Sequence, residues 1–284
     1  MLVTLKEVLG DAQKQGYAVG LFNTVNLEMA KAVISAAEES RSPVIVGSAE
    51  ILLGHCDIPQ LADILLPMIQ KSPVPIVLHY DHGLTYDRVI QALRCGFSSV
   101  MYDCSGCSLE ENLKNCREMA SIAHAFGASI EAELGHVGSG AAGSKESAGG
   151  EDHSVYTQPD QAKEFVEYTK VDALAVAIGT AHGPYLKTPK LDLQRLEEIR
   201  RTIDTPLVLH GGSGLSDQDF RNCIERGIAK INIFTDIDQA GCRGACRAME
   251  AGAACLTDLM PEITAEIQAT VRHKMELFGS VGKA

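Results

Sequence analysis

Pro206-Leu-Val-Leu-His-Gly-Gly-Ser-Gly214 joins a short apolar run, a histidine at its end and a glycine-rich turn, with a helix start signal at Ser216 just beyond. A run that is apolar on both faces reads as a strand covered by helices. The same kind of segment recurs along the chain. The strand candidates are Tyr17–Asn23, Pro43–Ala49, Pro75–His82, Ser99–Cys104, Ser129–His136, Ala173–Ile178, Pro206–Gly211 and Lys230–Asp236.

Amphipathic stretches separate them. Leu27, Ala30, Val33, Ile34 and Ala37 fall on one helical stripe, and Leu109, Leu113, Cys116, Ala120 and Ala123 fall on another. Ser108 with Glu111 makes a capping box, Asp57 with Gln60 resembles one, and Thr157 precedes Pro159 in an N-terminal turn. Eight strand–helix units in 284 residues average about 35 residues each, the size of one βα unit. No Gly-x-Gly-x-x-Gly follows the first strand, which weighs against a dinucleotide-binding sheet. The expected fold is α/β, a TIM (β/α)8 barrel forming a single domain over residues 1–284. Residues 137–156 break the rhythm with Gly, Ser and Ala, and read as a mobile loop after the fifth strand.

The formal net charge of −12 argues against nucleic-acid binding, because no basic patch is available to release counterions from a phosphate backbone. No apolar run approaches the ~18 residues of a membrane span. The N-terminal stretch carries acids where a signal peptide needs a basic and then an apolar run. A cytoplasmic setting is therefore expected, with the nine cysteines reduced and serving as packing residues. Cys104-Ser-Gly-Cys107 stands alone, without a second pair to complete a zinc knuckle.

Three histidines sit where a barrel would place chemistry. His82 ends the third strand, His182 follows the sixth and His210 ends the seventh. Residues at the C-terminal ends of barrel strands converge on one opening. Three neutral imidazoles with an open fourth position suit a catalytic zinc, whereas three unconnected loop or core histidines would be unremarkable. Asp103 and Glu133 end the fourth and fifth strands and add carboxylates to the same opening. Each reads as an ion pair or cap, as a second metal position, or as a partner that orients a histidine. Gly211-Gly-Ser-Gly214 and Asn232-Ile-Phe-Thr-Asp236 follow the last two strands, where barrels often bind phosphate through free amides and a helix N-terminus.

Leu78-His-Tyr-Asp-His82, Ile130-Glu-Ala-Glu-Leu-Gly135, Ala175–Gly183, Val208–Gly214 and Ile231–Asp236 occur in that order, and the chain ends Phe278-Gly-Ser-Val-Gly-Lys-Ala284. In these segments the sequence resembles the class II, metal-dependent ketose-bisphosphate aldolases, the fructose- and tagatose-bisphosphate type. The resemblance implies Zn2+ on His82, His182 and His210, with Asp81 as proton donor and acceptor at the aldehyde oxygen. It implies dihydroxyacetone phosphate held by Gly183, Gly211, Gly212, Ser213, Asn232, Ile233, Phe234 and Thr235, with a monovalent cation, Na+ or K+, near Gly183 and Gly211. It also implies a small phosphorylated sugar as substrate and a homodimer or homotetramer. Zinc would act as a Lewis acid on the charge that cleavage leaves on the C2 oxygen.

Two positions depart from the family. The relatives' glutamate eight residues beyond Glu133, the base for the C3 proton, is Ala141 here. Glu151, or else Glu146, is the expected replacement, delivered by the same loop. Phe234 stands where fructose-bisphosphate members usually carry Asp and tagatose members a small residue. A class I aldolase would need a Schiff-base lysine, and Lys230 is expected to open the eighth strand and face the wrong end. The competing reading is a non-catalytic subunit that stabilises an aldolase partner. Such a chain would be free to lose metal ligands, whereas this one keeps all three histidines and Asp81.

Overall fold

The computed structural model describes residues 1–139, 156–183, 185 and 189–284. Eight strands close into a parallel barrel, so the (β/α)8 expectation holds. In chain order the strands are β1 (Val19–Asn23), β2 (Val44–Ala49), β3 (Ile76–Gly83), β4 (Ser99–Tyr102), β5 (Ser129–Leu134), β6 (Gly138–Ser139), β7 (Ala173–Val176), β8 (Ala181–His182), β9 (Leu207–Leu209) and β10 (Ile228–Ile233). The barrel runs β1-β10-β9-β7-β5-β4-β3-β2, and β1 closes it on β10 from Val19↔Lys230 to Phe22↔Ile233. The two-residue strands β6 and β8 pair apart from it, a small parallel sheet that the sequence reading lacked.

The helices are α1 (Leu5–Gln15), α2 (Leu27–Ser40), α3 (Ile58–Lys71), α4 (Tyr86–Arg94), α5 (Leu109–Ala125), α6 (Pro159–Thr169), α7 (Leu193–Thr202), α8 (Asp217–Glu225), α9 (Thr235–Glu250) and α10 (Leu256–Phe278). Both expected capping boxes form, Asp57/Gln60 at α3 and Ser108/Glu111 at α5. Thr157 does something else. Its hydroxyl donates to the Leu134 carbonyl and accepts from Ala177 N at 2.8 Å, tying β5 to the end of β7, while Gln158 is the residue that precedes α6. Among the described residues no helix is long and apolar enough to cross a membrane.

Two apolar layers hold the barrel. The larger lies between strands and outer helices; the smaller plugs the N-terminal mouth. In the plug, Leu5, Val8, Leu9 and Ala12 of α1 share one helical stripe and pack on inward-facing Leu21, Ile45, Val77, Ala175 and Val208. The C-terminal mouth is thus the open one. The cysteines divide: Cys56, Cys104, Cys116 and Cys223 are buried, Cys95 is half-buried, and Cys107, Cys242, Cys246 and Cys255 are exposed. The last four correct the expectation that all nine pack. They occupy a loop and outer-helix positions facing solvent.

Strand pairing leaves no room at Gly47. It lies opposite His79, and a Cβ there would sit 1.7 Å from the His79 carbonyl oxygen. Gly47→Ala should lower unfolding free energy by about 1–3 kcal/mol or more, the usual effect of overpacking. Gly10→Ala, mid-helix in α1 with nothing within 4 Å, should instead stabilise by up to about 1 kcal/mol. Chemical denaturation of both variants checks the pair, and equal effects would contradict it.

Candidate active site

The third strand carries the first candidate ligand, His82. Its alternation turns His79 and Asp81 into the barrel, and strict continuation would send His82 outward. Two irregularities prevent that. The β3–β4 register slips between Tyr80 and Gly83, and His82 takes a left-handed φ of 44°. Such a conformation costs a non-glycine residue of order 1–3 kcal/mol and tends to mark functional sites. The imidazole consequently stands over the open mouth.

The other two histidines arrive by different routes. His210 directly follows β9, and His182 belongs to the small β6–β8 sheet above the barrel. Ring centroids of His82 lie 4.7 Å from His182 and 4.5 Å from His210. One ligand atom from each of the three falls within 4.8 Å of the others. Among buried side-chain atoms lacking a hydrogen bond are His82 Nε2, His182 Nε2 and His210 Nδ1. Buried polar atoms are rarely left so. Three convergent imidazole nitrogens without hydrogen-bond partners fit a divalent cation that prefers nitrogen donors.

The remaining ring nitrogens are anchored. His82 Nδ1 meets Asp103 Oδ2 at 2.7 Å, and His210 Nε2 meets Glu131 Oε1 at 2.8 Å. Asp103 therefore orients the His82 ring, and Ser105 N donates to its other oxygen at 3.0 Å. Glu133 accepts from Val137 N at 3.0 Å through Oε1. Its Oε2 lies 3.0 Å from His210 Nδ1, within ion-pair distance, although neither atom makes a hydrogen bond. His82, Asp103 and Glu133 also form a ligand-sized group. Asp81 is buried, with Oδ2 accepting from Asn23 Nδ2 at 2.8 Å and Oδ1 from Asn232 Nδ2 at 3.0 Å.

Electrostatics follow from this packing. Burial alone would raise the Asp81 carboxyl, but His82, Lys230 and His210 hold it well below the usual carboxylate range. Burial opposes charge on His210 too, yet the carboxylates of Glu131 and Glu133 prevail and push it up to about 10. His82 is likewise raised against burial, chiefly by Asp81. His182 has no carboxylate partner of this kind, and burial with the two neighbouring imidazoles brings it down to about 4.

Asp81, His82, His182, Gly183, Gly211, Gly212, Ser213, Asn232, Ile233, Phe234 and Thr235 all line one cavity of about 500 Å3, together with Asp103 and Glu133. His210 is fully buried and is not part of that lining. The phosphate-loop candidates thus share the mouth with the histidines. Gly211 has φ 65°, and a Cβ there would meet the Ala181 carbonyl oxygen at 2.4 Å, so the turn after β9 presses against the His182 segment. Tyr185 ties these turns, its hydroxyl donating to Gly211 O at 2.7 Å and accepting from Ala181 N at 3.0 Å. Ser213 Oγ accepts from Phe234 N at 3.2 Å. Phe234 precedes α9 without a side-chain cap, whereas α8 is closed by its Ser216/Asp219 capping box. The helix N-terminus facing the cavity is that of α9.

Glu151, Glu146 and Ala141 lie outside the described residues, as does most of the 137–156 loop. Lys230 needs correction. β10 starts at Ile228, so Lys230 is its third residue, fully buried inside the barrel with Nζ 2.7 Å from Glu131 Oε2. Sequence reasoning also passed over Glu131, His79, Asn23 and Tyr185. The first two carry a readable signal: each stands two positions before a site residue and so shares its face of the strand.

The chain matches the family model for fructose-bisphosphate aldolase class-II over residues 3–283. It belongs to that family. An Escherichia coli K12 relative, uncharacterized protein YdjI, is 39% identical over 284 residues, covering all of both chains. The crystal structure of the E. coli K12 YdjI aldolase superposes with a TM-score of 0.89 at 36% identity, also covering both chains completely. A putative fructose-1,6-biphosphate aldolase from Coccidioides immitis gives a TM-score of 0.88 at 32% identity over 98% of this chain and 97% of that one. Class II aldolases are typically metal-dependent, and the histidine cluster is one of the groups here that could hold an ion.

Raised proton affinity at His82 and His210 links that binding to pH. A dication can occupy the nitrogens only after their protons leave. Metal affinity should rise with pH between 6 and 8, by about tenfold per unit for each proton displaced. Calorimetric titrations in buffers of different ionisation enthalpy should register net proton release. Affinity independent of pH, with no proton release, would contradict the electrostatic description.

Proposed function

We propose that the protein is a zinc-dependent aldolase that reversibly cleaves a ketose 1-phosphate or 1,6-bisphosphate to dihydroxyacetone phosphate and an aldehyde. The observation that carries this reading is one mouth lined by His82, His182, the buried Asp81 carboxylate, the Gly211–Ser213 turn and Asn232–Thr235, with His210 buried within ligand distance of the other two histidines. Zinc on His82, His182 and His210 would supply Lewis-acid stabilisation of the negative charge developing on the C2 oxygen as the C3–C4 bond breaks.

Asp81 is the proposed acid–base group for the C4 hydroxyl. Asn23 and Asn232 fix its plane while a carboxylate retains further lone pairs for a substrate proton. The turn Gly211–Ser213 and the α9 N-terminus at Asn232–Thr235 are suited to the substrate phosphate, through main-chain amides and the helix dipole. Gly183 completes that side, and a monovalent cation beside Gly183 and Gly211 belongs to the same reading. Ile51, Leu52, Leu84 and Phe234 add apolar side chains to the same cavity. We assign the aldehyde half to these residues, with Phe234 setting preference among aldehydes.

The test supplies zinc-loaded protein with dihydroxyacetone phosphate and a panel of phosphorylated and unphosphorylated aldehydes, and measures condensation products. Condensation lost on chelation and restored by zinc is expected; none with any aldehyde in the zinc form would contradict the proposal. Asp81→Ala should keep zinc yet lose roughly 10²–10⁴-fold in cleavage, the usual worth of a placed acid–base group. Phe234→Ala should reorder kcat/KM among the aldehydes while zinc content stays unchanged, and an unaltered ranking would remove Phe234 from the specificity role.

A further inference from the structure

Below the mouth, and separate from its lining, lies a layer of buried charge. Glu131, Lys230 and His79 are all fully buried, on β5, β10 and β3. Glu131 Oε2 is 2.7 Å from Lys230 Nζ and 4.0 Å from His79 Nε2, while His79 Nδ1 meets Ser99 Oγ at 2.7 Å. His79, Asp81 and Glu131 have the spacing of a metal-ligand group. The Lys230 ammonium already supplies a cation to that group, so it is not a second ion site.

What remains unexplained is why a barrel interior should contain an ion pair at all. Desolvating two charges costs several kcal/mol per ion, and apolar residues of similar volume often serve stability as well or better. The geometry points to a different purpose. Glu131 Oε1 faces His210 Nε2 at 2.8 Å, and His210 is the histidine whose unpartnered nitrogen is Nδ1 rather than Nε2.

We propose that Glu131, backed by Lys230, is the positioning residue for His210: its carboxylate keeps the hydrogen on Nε2, which turns the Nδ1 lone pair toward the metal position. The inference rests on the reading of the three histidines as metal ligands. An ionised carboxylate only accepts hydrogen bonds, so Nε2, the nitrogen hydrogen-bonded to Glu131, carries the proton, whereas Nδ1 lies 3.0 Å from Glu133 Oε2 without a hydrogen bond to it. Neutral imidazole has one N–H, and Nδ1 is then the free donor atom. Lys230 Nζ, 2.7 Å from Oε2, provides a counter-charge to that carboxylate. Asp103 does the same for His82 from the opposite ring nitrogen, Nδ1, leaving Nε2 free. The two anchored histidines are therefore assigned opposite ligating atoms, His82 through Nε2 and His210 through Nδ1.

The test uses 15N-histidine-labelled, zinc-loaded protein and zinc competition against a chelator. In the wild type, His210 should show a protonated, exchange-protected Nε2 and a coordinated Nδ1. Glu131→Gln should weaken zinc about tenfold and shift the His210 Nε2–H resonance. Glu131→Leu with Lys230→Met removes acceptor and counter-charge together, leaves no unpaired charge to prevent folding, and should weaken zinc by up to about 100-fold, the range seen for outer partners of metal ligands. Wild-type-like zinc affinity in the folded double variant, or coordination of His210 through Nε2, would overturn the inference while leaving the metal site intact. Failure of the wild type itself to bind zinc would instead overturn the metal-site reading and this inference with it.

Discussion

Closure of the barrel by β1 on β10 is the constraint from which the site follows. That pairing runs from Val19↔Lys230 to Phe22↔Ile233, and it brings together residues from opposite ends of the chain. Asn23 and Asn232 stand at the same end of this seam, and both donate to Asp81 on β3. An open sheet would separate those two amides by its full width. The closed barrel instead makes Asp81 the meeting point of three strands, with His82, His182 and His210 gathered beside it.

The interior is built in layers along the axis. Apolar side chains from α1 and the strand starts fill the N-terminal end. Glu131, Lys230 and His79 make a buried polar layer above them, and Asp81, Glu133, His210, Asn23 and Asn232 form the next. Each layer supports the one beyond. Water is kept from one end by the plug, and the charges in the middle are satisfied by one another before they reach a ligand. The catalytic-looking residues thus stand on rigid strands whose own polar neighbours fix their orientation, as preorganised sites require.

Much of this was legible in the sequence because a barrel strand has period two. All eight barrel strands overlap the apolar runs read from the chain, and the three histidines lie at or just beyond strand ends as expected. The pairs His79/Asp81, Glu131/Glu133 and Lys230/Asn232 are each two residues apart, which places both members of a pair inside. Reading the motifs as endings rather than as alternating faces is what hid Glu131 and misplaced Lys230. Other features leave no such trace. The left-handed turn at His82 and the register slip that causes its reversal depend on the β3–β4 pairing. Tyr185 and Thr157 act through hydroxyl contacts to backbone atoms distant in sequence. Solvent exposure of Cys242 and Cys246 depends on which face α9 turns toward α10 and the barrel.

The central claim is that the histidine cluster, the Gly211–Ser213 turn and the Asn232–Thr235 segment act on one phosphorylated ketose. Hydrogen–deuterium exchange at C3 of dihydroxyacetone phosphate, followed by proton NMR in D2O, tests it most directly, because this half-reaction requires phosphate binding and metal activation but no aldehyde. The account predicts stereospecific loss of one C3 proton with zinc-loaded protein, abolished by chelator and recovered on adding zinc. Zinc-loaded, folded protein that leaves both C3 protons in place would contradict it.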